Sequence, residues 1–520
     1  MMSTVEGLKK SVALSPEKVA TICGSSRLNF RQVDERVNRL SGALAKLGVG
    51  RGDRVALLSL NCHRFFELYY GVPQLGAVVV PINFRLQPQE IKYIVDHSGS
   101  RIIAVDPSLA HLVEAVRPSL DGIEHFILMS DERREGYLAY DDLIAADAPG
   151  FDAPEISNDD LLGLFYTSGT TGEPKGVMLS HGNMLSNIAH SEGVYQYLPT
   201  DIYLHAAPMF HLADGAAVFS NTARGATQAF IPRFEPQLVL ETIERERVSL
   251  LLLVPTMINF LLQQPDLESY DLSSLRHVTY GASPIAPDML RRAMKVFNCQ
   301  FGQGYGLTEA SPLLTVLTPD DHVITDEKSE RRLASCGRPV SGVDVRVVKE
   351  GGSDAQPGEV GEITARGPNI MLGYWKRPDD TEDVLRDGWL HTGDLATVDE
   401  DGYIYLVDRK KDMIVTGGEN VYSTEVEAVL YAHPAVKEAA VISIPDPDWG
   451  EAVHACVALR DGRQATIEEL VEFCRKMLAS YKVPRSIDFI EGELPKGGTG
   501  KILKKQLRER YWKGQSRRIG

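Results

Sequence analysis

The chain has 520 residues, of which 43% are hydrophobic and 24% are charged, as in ordinary soluble globular proteins with room for two or more domains. Its formal net charge of −16 argues against a broad nucleic-acid-binding surface, because affinity for a phosphate backbone comes mainly from basic residues. The six cysteines are widely spread and form no C-x-x-C pair, which argues against a disulfide framework or a zinc site and favours a reducing cytoplasm.

The first predicted element is a helix that leads into a strand. The N-terminus before it lacks the long apolar core of a signal peptide. The stretch FRQVDERVNRLSGALAKLGVGRGDRVALLS places five apolar side chains on one helix face: Val33, Val37, Leu40, Leu44 and Leu47. Gly48 ends this helix, and an apolar strand begins near Val55. This alternation is typical of an α/β protein.

The most apolar stretch of the chain, VSLLLLVPTMINFLL, predicts a buried strand followed by the start of a helix. It is shorter than the roughly 18 residues of a membrane-spanning helix and is interrupted by Pro255. The longer segment EPQLVLETIERERVSLLLLVP reads as an amphipathic helix that runs into a continuous apolar strand. We therefore expect helices that cover a largely parallel sheet.

The pattern of predicted helices and strands changes in the last third of the sequence. From Gly358 to Val407, short β runs and turns such as DEDGYIYLVD predict a small sheet region. A last α/β stretch follows DRKKD and includes a predicted helix at Ile467–Leu478, with Thr466 and Glu469 at capping-box spacing. We therefore predict a domain boundary at DRKKD.

Two glycine-rich loops each carry a lysine. In the first, YTSGTTGEPKGV, six consecutive small residues, Thr167–Gly172, precede Lys175. Backbone N–H groups in such a loop form an anion site, so we predict phosphate binding, with a flexible linker as the alternative. Pro174 breaks the Walker A spacing and favours a strand on each side of the loop. The second loop, PKGGTGKI, carries Lys501, and the two loops suggest one polyphosphate site built from both domains.

Five motifs run in order along the chain: YTSGTTGEPKGVMLSH, YGLTEASP, GWLHTGDLA, YLVDRKKDMIVTGGENVYSTEVE and LPKGGTGKI. They resemble the signature motifs of the adenylate-forming (AMP-binding) superfamily, which comprises acyl- and aryl-CoA synthetases, beetle luciferases and nonribosomal-peptide adenylation domains. The resemblance implies an α/β fold with a large, multi-subdomain N-terminal domain, residues 1–410, made of stacked α/β sheets and a small β-barrel-like region. A smaller, mobile α+β C-terminal domain, residues 411–520, follows.

The resemblance also implies a two-step reaction that uses ATP and Mg²⁺. A carboxylate attacks the α-phosphate of ATP to give acyl-AMP and pyrophosphate, and a thiol then displaces AMP. No carrier-protein segment follows the last motif, which favours coenzyme A as the thiol and an acid–CoA ligase as the function. The alternatives are a stand-alone enzyme that loads a carrier protein, a luciferase-like oxidase and an inactive nucleotide sensor.

Motif matches assign the site residues by resemblance. Lys501 resembles the adenylation lysine, which bridges the carboxylate and the α-phosphate, and Lys175 with the first loop would hold the β- and γ-phosphates. Thr308 and Glu309 resemble the pair that places the magnesium ion, with Glu309 as its oxygen ligand. Lys411 matches the hinge residue of the family. The full nucleotide- and coenzyme-binding set is Thr167, Ser168, Gly169, Thr170, Thr171, Gly172, Lys175, Gly281, Ala282, Ser283, Gln303, Gly304, Tyr305, Gly306, Thr308, Asp394, Arg409, Lys411, Gly417, Gly418 and Lys501.

Within this set, the resemblance gives each segment its own part of the ligand. Asp394 would accept the ribose hydroxyls, and Arg409 would lie beside the sugar. The segments Gly281–Pro284 and Gln303–Gly306 would flank the adenine, where glycine lets the backbone approach a flat ring. Gly417–Gly418 would line the channel for the pantetheine arm, because larger side chains would obstruct it.

Two departures from the family pattern concern loops. Ser423 stands where many relatives have proline, and Gly497–Gly498 stand where bulkier residues are common. Both are expected to loosen their loops without removing a chemical group. They therefore bear on the rate of domain closure more than on activity.

The segment PMFHLADGAAVF, Pro208–Phe219, is similar to the acyl-pocket entrance of these ligases. His211 would gate or line the pocket, with a structural histidine as the alternative. Asp214 is out of register with the aspartate that pairs the substrate amine in amino-acid adenylation domains. An acid with an apolar body is favoured, since Ala216–Phe219 offer little for a second charge. The choice between a fatty and an aryl acid, between monomer and homodimer, and any peripheral membrane contact are left open.

Overall fold

The computed structural model describes residues 3–146, 153–167, 173–283, 285–417, 419–497 and 502–513. Within them the chain forms two compact units. One comprises Met1–Val345 and Ala365–Leu390, and the other comprises Arg346–Thr364 and His391–Gly520. The domain boundary between residues 410 and 411 stays a prediction. Among the helices of the described ranges, none combines the length and apolar character needed to cross a bilayer.

The helices and strands alternate along most of the chain. The α-helices of the described ranges are α1 (Glu6–Leu14), α2 (Phe30–Lys46), α3 (His63–Gly71), α4 (Pro88–Ser98), α5 (Ala110–Glu114), α6 (Tyr140–Ala145), α7 (His181–Tyr195), α8 (Leu212–Arg224), α9 (Pro236–Glu246), α10 (Pro255–Leu262), α11 (Pro287–Phe297), α12 (Glu327–Arg332), α13 (Pro378–Val384), α14 (Ser423–Tyr431), α15 (Ile467–Arg475) and α16 (Lys504–Glu509). The strands are β1 (Val19–Cys23), β2 (Ser26–Asn29), β3 (Arg54–Leu58), β4 (Val78–Pro81), β5 (Ile102–Val105), β6 (His125–Leu128), β7 (Leu138–Ala139), β8 (Leu161–Thr167), β9 (Lys175–Ser180), β10 (Ile202–His205), β11 (Thr227–Phe230), β12 (Leu250–Leu253), β13 (His277–Gly281), β14 (Gln300–Gly306), β15 (Leu313–Leu317), β16 (Arg338–Pro339), β17 (Asp344–Val348), β18 (Gly361–Arg366), β19 (Gly373–Tyr374), β20 (Leu385–Arg386), β21 (Trp389–Val398), β22 (Ile404–Arg409), β23 (Ile414–Thr416), β24 (Glu419–Val421), β25 (Val436–Asp446), β26 (Gly450–Leu459) and β27 (Ser486–Phe489).

The first unit is built on two largely parallel sheets, as predicted. One has nine strands in the order β16-β15-β14-β13-β12-β10-β11-β1-β2, and the other has eight in the order β19-β9-β8-β4-β3-β5-β6-β7. Helices cover the sheets, and aliphatic side chains of both fill the core between them. In the nine-stranded sheet, Leu251 and Val278 pack with Leu240 and Leu261 of the helices. Parallel strands need such crossover helices, which explains the helix–strand alternation of the sequence.

Helix α2 forms where the periodicity predicted it. The side chain of Asn29 accepts a hydrogen bond from the backbone N–H of Gln32 at 2.8 Å, and the Gln32 side chain accepts one from the N–H of Asn29 at 2.9 Å. Four residues of the predicted apolar face are fully buried: Val33, Val37, Leu40 and Leu44. Gly48, at φ +85°, lets the chain leave the helix towards β3.

The apolar stretch around Pro255 also folds as predicted. Helix α9 leads into the buried strand β12, and α10 begins at Pro255 itself. Proline is favoured at the first helical position because its fixed φ suits a helix and its missing N–H is not needed there. The stretch is thus a core strand and a helix start.

The predicted small sheet region is a five-stranded sheet. Strands β17, β18, β21 and β20 lie in that order, and β22 pairs with β21. The second unit holds a further five-stranded sheet, in the order β24-β23-β26-β25 with β27 beside β26. Helices α14 and α15 pack on it through Leu430 and Leu470, which gives the second unit its α+β character.

Helix α15 begins at the predicted capping box but ends earlier than predicted. Thr466 Oγ1 accepts from the N–H of Glu469 at 3.1 Å, and the Glu469 side chain accepts from the N–H of Thr466 at 2.8 Å. The helix ends at Arg475 instead of Leu478. The N–H groups of Met477 and Leu478 both donate to the carbonyl of Cys474, so the chain closes in a turn there.

Candidate active site

The first glycine-rich loop joins two antiparallel strands, as predicted. Strand β8 ends at Thr167 and β9 begins at Lys175, and these two residues face each other in the ladder. The predicted phosphate-binding residues Ser168–Gly172 lie outside the described residues. The hairpin therefore fixes both ends of the loop and places the base of the Lys175 side chain at its rim.

The ammonium group of Lys175 lies between a carboxylate and an aromatic ring. Its Nζ forms an ion pair with Asp380 of α13, and both side chains are largely buried, at 11% and 21% exposure. The same Nζ lies 5.1 Å from the ring centroid of Tyr374, within the range of a cation–π contact. Two residues that no motif identified thus hold the lysine in place.

Tyr374 also reaches Glu309, the predicted magnesium ligand. Its hydroxyl donates to Glu309 Oε1 at 2.8 Å, and the N–H of Met371 donates to the Glu309 carbonyl at 2.9 Å. Burial and the neighbouring carboxylate of Glu309 raise the pKa of Tyr374, so its hydroxyl keeps the proton that it donates. Through Tyr374 the structure brings Lys175 and Glu309 together, although they are distant in sequence.

Thr308 and Glu309 lie in a short 3₁₀ turn that buried amides support. Asn369 is fully buried, and its Nδ2 donates to the carbonyls of Ala310 and Leu313 at 2.9 and 2.8 Å. The hydroxyl of Ser311 donates to the Asn369 carbonyl at 2.7 Å. These hydrogen bonds hold the turn, because buried polar groups need hydrogen-bond partners.

The predicted adenine-flanking residues lie at the carboxyl ends of two neighbouring parallel strands. Gly281 ends β13 and pairs with Gly304 of β14, and a Cβ at Gly281 would lie only 2.4 Å from the Gly304 carbonyl oxygen. A Cβ at Gly306 would lie 1.8 Å from the Pro312 carbonyl oxygen. Backbone packing within the protein therefore requires glycine at both positions, whether or not an adenine ring binds there.

The other members of this predicted group share the same strand ends. Ala282 has φ +65°, Ser283 follows it, and Gln303 and Tyr305 lie in β14. Ligands of open α/β sheets bind beyond the carboxyl ends of such strands. Their common position is thus suited to a ligand.

The predicted ribose residues are neighbours in the second unit. Asp394 of β21 faces Arg409 of β22 in the antiparallel ladder, and Arg409 Nε lies 3.2 Å from Asp394 Oδ1. The Asp394 side chain is 14% exposed and that of Arg409 is 52% exposed. The pairing brings together a carboxylate that can accept hydroxyl hydrogen bonds and a cation beside it.

The predicted hinge and channel residues also lie in the second unit. Burial, followed by the neighbouring charge of Arg409, lowers the pKa of Lys411, and the Lys411 carbonyl accepts from Arg508 at 3.0 Å. Gly417 has φ +59°, and a Cβ there would lie 2.3 Å from the ring of Trp449. A larger residue at this turn would meet an indole ring. Gly418 and Lys501 lie outside the described residues.

Ser423 is anchored, contrary to the expectation that it loosens its loop. It is fully buried at the start of α14, where its N–H and its hydroxyl donate to Asp408 Oδ2 at 2.5 and 2.8 Å. The ammonium group of Lys504 donates to the same hydroxyl at 2.6 Å. A proline could supply neither the N–H nor the hydroxyl. Serine therefore ties two helices to the segment before Lys411.

Asp214 is a structural carboxylate in this protein. It is fully buried, and it accepts from the Tyr203 hydroxyl at 2.9 Å and lies 2.7 Å from His205 Nδ1. Both of its oxygens are therefore engaged by the protein, which is consistent with its weak match to an amine-binding aspartate. His211 lies directly before α8, with its ring centroid 4.4 Å from that of Phe210.

A cavity of about 50 Å³ lies between α7 and α8 in the first unit. Its lining residues are Asn187, Ser191, Tyr195, Tyr197, Tyr203, Ala213, Ala216, Ala217, Ser220, Leu252, Thr279, Pro312 and Leu313. Ala216 and Ala217, from the segment predicted to form the acyl-pocket entrance, line this cavity. Val218 and Phe219 do not, since both are buried elsewhere and Phe219 packs on Tyr69. The polar face that α7 contributes was not foreseen.

The described part of the chain thus combines an α/β scaffold with a lysine and a carboxylate that both contact Tyr374. A family model described as "AMP-binding enzyme" matches residues 8–375, and one described as "AMP-binding enzyme C-terminal domain" matches residues 425–501. The chain belongs to the AMP-binding enzyme family. This confirms the resemblance to adenylate-forming enzymes that the motifs indicated, together with the fold class.

Individual relatives match over nearly the whole chain. A feruloyl-CoA synthase from Amycolatopsis is 41% identical, covering 96% of this chain and 97% of that protein. The long-chain-fatty-acid–CoA ligase FadD13 of Mycobacterium tuberculosis is 36% identical, with 97% of each chain covered. The crystal structure of ATP-bound MatB from Rhodopseudomonas palustris is similar with a TM-score of 0.88 at 30% identity, covering 98% of this chain and 99% of that one.

Proposed function

We propose that this enzyme is an ATP-dependent acid–CoA ligase. It adenylates a carboxylic acid to acyl-AMP with release of pyrophosphate and then transfers the acyl group to coenzyme A. The observation that carries the proposal is the cluster of Lys175, Tyr374 and Glu309 beside the phosphate-loop hairpin. The similarity to two acid–CoA ligases over almost the whole chain supports it.

Charge neutralisation is the task of Lys175 in this proposal. Phosphoryl transfer depends on positioning and on stabilising negative charge more than on covalent help from the protein. Its ammonium group, at the rim of the loop Thr167–Gly172, would face the β- and γ-phosphates. Asp380 holds the side chain in a largely buried position, so less rotamer freedom is lost when a phosphate binds.

Thr308 and Glu309 would hold a magnesium ion. A hydroxyl and a carboxylate are the hard oxygen donors that Mg²⁺ prefers, and the Tyr374 hydroxyl orients the Glu309 carboxylate through a hydrogen bond to Oε1. No group of three or more His, Cys, Asp or Glu suited to a metal occurs among the described residues. This fits Mg²⁺, which one or two side chains and substrate phosphates commonly hold. When bound, the ion supplies positive charge to the phosphates.

The residues of the second unit complete the assignment. Asp394 and Arg409 would bind the ribose, and Lys501 would bridge the substrate carboxylate and the α-phosphate. Lys411 would be the hinge between domains of residues 1–410 and 411–520, and Gly417–Gly418 would admit the pantetheine arm. The paired geometry of Asp394 and Arg409 supports the ribose assignment, while the others rest on their motifs.

The acyl substrate would enter beside His211 and occupy the cavity between α7 and α8. Small side chains on α8, such as Ala213 and Ala217, create the space. We also infer a reducing compartment such as the cytoplasm. All six cysteines lie within the described ranges, and none of them forms a disulfide, as expected where thiols stay reduced.

A screen for pyrophosphate release over carboxylic acids, with and without coenzyme A, tests this function. We expect acid-dependent release of pyrophosphate, and a CoA thioester when coenzyme A is present. Release that never yields a CoA thioester would favour an enzyme that loads a carrier protein. An enzyme that releases no pyrophosphate with any acid would instead be a nucleotide-binding sensor.

A further inference from the structure

We infer that Glu362 of β18 is a positioning residue for Asp394, the proposed ribose-binding carboxylate. This inference rests on the proposed acid–CoA ligase function, in which Asp394 accepts the ribose hydroxyls of ATP, and it adds a residue that no motif identified. Glu362 does not touch the nucleotide in this role. It acts through the backbone of Gly393, the residue directly before Asp394.

Gly393 interrupts the regular backbone of β21. Its φ of +72° lies outside the β region, so its N–H does not follow the regular strand arrangement. This N–H donates to a side chain of the neighbouring strand β18, Glu362 Oε1, at 3.1 Å. A backbone N–H inside a sheet needs an acceptor. The Glu362 carboxylate therefore takes the place of a backbone carbonyl at this point of the sheet.

The residues on either side of Gly393 are tied to the same part of β18. Thr392 Oγ1 donates to the carbonyl of Ile363 at 2.8 Å, and the N–H of Asp394 donates to Thr392 Oγ1 at 3.1 Å. Glu362 and Ile363 follow each other in β18. Two successive residues of one strand thus hold three successive residues of the next, and the last of these is Asp394.

The Glu362 carboxylate is itself held in place. Its side chain is only 14% exposed, and both Lys410 Nζ and His391 Nδ1 lie 3.4 Å from Oε2. Its other oxygen, Oε1, is the one that accepts from Gly393. Because the Lys410 side chain is 59% exposed, its ion pair with Glu362 contributes little. We therefore assign the positioning to the hydrogen bond with Gly393 and not to the charge of Glu362.

The backbone and the side chain of Asp394 have different supports. Arg409 Nε lies 3.2 Å from Asp394 Oδ1 and holds the side chain, and the N–H of Lys410 donates to the Gly393 carbonyl at 2.9 Å. Glu362 fixes the backbone from the opposite neighbour, β18. A displacement of about 1 Å can cost a site about 100-fold. Loss of the Glu362 acceptor should therefore weaken the recognition of the ribose hydroxyls in particular.

Nucleotide binding without an acid substrate tests this role. Calorimetry gives the Kd of ATP, 2′-deoxyATP and 3′-deoxyATP in the presence of Mg²⁺. We expect the unmodified enzyme to bind ATP at least about 10-fold more tightly than the weaker deoxynucleotide, because a hydrogen bond to a charged group is lost. In Glu362→Met, which keeps the length of the side chain but has no oxygen acceptor, this preference should fall below about 3-fold.

Two further variants serve as controls. Glu362→Gln should keep the preference for ATP, because its amide oxygen can still accept from the N–H of Gly393. Glu359→Met makes the same substitution at a side chain that is 43% exposed and pairs with Lys349 at 2.9 Å, and it should also keep the preference. A smaller folded fraction affects all three nucleotides alike, so it does not change the ratio of their Kd values. Glu362→Ala replaces the methionine variant if thermal unfolding shows that the latter does not fold.

An unchanged preference for ATP in Glu362→Met overturns the inference. Equal losses in Glu362→Met and Glu362→Gln also overturn it, since they would assign the effect to charge and not to the hydrogen bond with Gly393. Equal affinity of the unmodified enzyme for all three nucleotides overturns it together with the ribose assignment of Asp394. An enzyme that shows the expected binding preferences but releases no pyrophosphate with any acid contradicts the proposed function and leaves the role of Glu362 supported.

Discussion

At the scale of single residues, the surroundings of Lys175 decide how it can act. Its ammonium group is paired with Asp380 and lies over the ring of Tyr374. A phosphate that binds must therefore compete with a carboxylate for the same cation. Tyr374 also donates to Glu309, so one tyrosine positions both the lysine and the proposed magnesium ligand.

We predict that Tyr374→Phe weakens the response to magnesium. The variant keeps the ring beneath Lys175 but removes the hydrogen bond that orients Glu309. Loss of such a partner of a metal ligand typically costs 10- to 100-fold in metal affinity. The Mg²⁺ concentration for half-maximal pyrophosphate release should rise about 10-fold.

Tyr511→Phe is the matched control for this variant. The Tyr511 hydroxyl donates to a carboxylate of the second unit, Asp488, at 2.6 Å. The magnesium titration of this control should match that of the unmodified enzyme. A Tyr374→Phe enzyme with an unchanged magnesium titration would show that the tyrosine does not act through Glu309.

Lys501, which lies outside the described residues, is the proposed adenylation lysine. A cation that stabilises charge only in the transition state of acyl-AMP formation should matter for that step alone. We predict that Lys501→Ala lowers the rate of acyl-AMP formation by about 100- to 1,000-fold. Thioester formation from supplied acyl-AMP should be much less affected.

The exposed Lys505 of α16 serves as the control position. Its side chain is 49% exposed, and Lys505→Ala should leave both half-reactions close to their normal rates. Each half-reaction is followed separately, by pyrophosphate release and by thioester formation. Equal losses in the two half-reactions of Lys501→Ala would contradict its assignment.

At the scale of elements, buried amides join segments that are distant in the chain. Asn183 of α7 donates to the carbonyls of Pro368 and Ile370, both at 2.8 Å. Between them, Asn369 donates to the carbonyls that follow Glu309. The start of α7 thus supports the Glu309 turn through a short connecting segment.

We predict that Asn369→Ala destabilises the protein by about 2–4 kcal/mol, because it leaves the buried carbonyls of Ala310 and Leu313 without their partners. Urea unfolding measures the loss. Asn83→Ala, which removes a single exposed hydrogen bond from the N–H of Arg85, should cost less than about 1 kcal/mol. Equal costs for the two variants would show that Asn369 does not support the turn.

At the scale of the whole molecule, buried histidines link stability to pH. Burial lowers the pKa of His277 to about 3 and the pKa of His63 and His181 to about 4 each. The neighbouring cations Arg276 and Arg64 add to the effect at His277 and His63. In the unfolded chain each imidazole takes up a proton near pH 6.5.

We predict that the protein loses stability as the pH falls from about 6.5 towards 4. In that window the unfolded chain binds protons that the folded histidines do not bind, so protonation favours unfolding. Each histidine contributes a slope of about 1.4 kcal/mol per pH unit. Urea unfolding at pH 6.0, 5.0 and 4.5 measures the sum of these slopes.

Replacing one histidine measures its contribution to the pH dependence of stability. His277→Gln should reduce the slope by about 1.4 kcal/mol per pH unit. Val278→Ala, at the next buried position of β13, should lower stability by a similar amount at every pH and leave the slope unchanged. A slope that His277→Gln does not alter would exclude this histidine as a source of the pH dependence.

Much of the fold could be predicted from local sequence patterns. Four features were recognisable because each depends on residues that are close together in the chain. They are the helix α2, the strand before Pro255, the capping box at Thr466 and the hairpin around the first glycine-rich loop. The end of α15 was misjudged because a local turn at Cys474 overrode its periodicity. Ser423 was misjudged because its partners, Asp408 and Lys504, come from other elements.

The sequence by itself determined the α/β class, the order of the motifs and the identity of the charged groups that we propose to bind phosphate. Only the tertiary structure decided that Tyr374 links Lys175 to Glu309, that Asp214 is held by Tyr203, and that α7 and α8 line a small cavity. The physical reason is the distance along the chain over which each effect acts. Periodicity, capping and turn preferences act over a few residues, whereas hydrogen bonds and cavities depend on which distant segments the fold brings into contact.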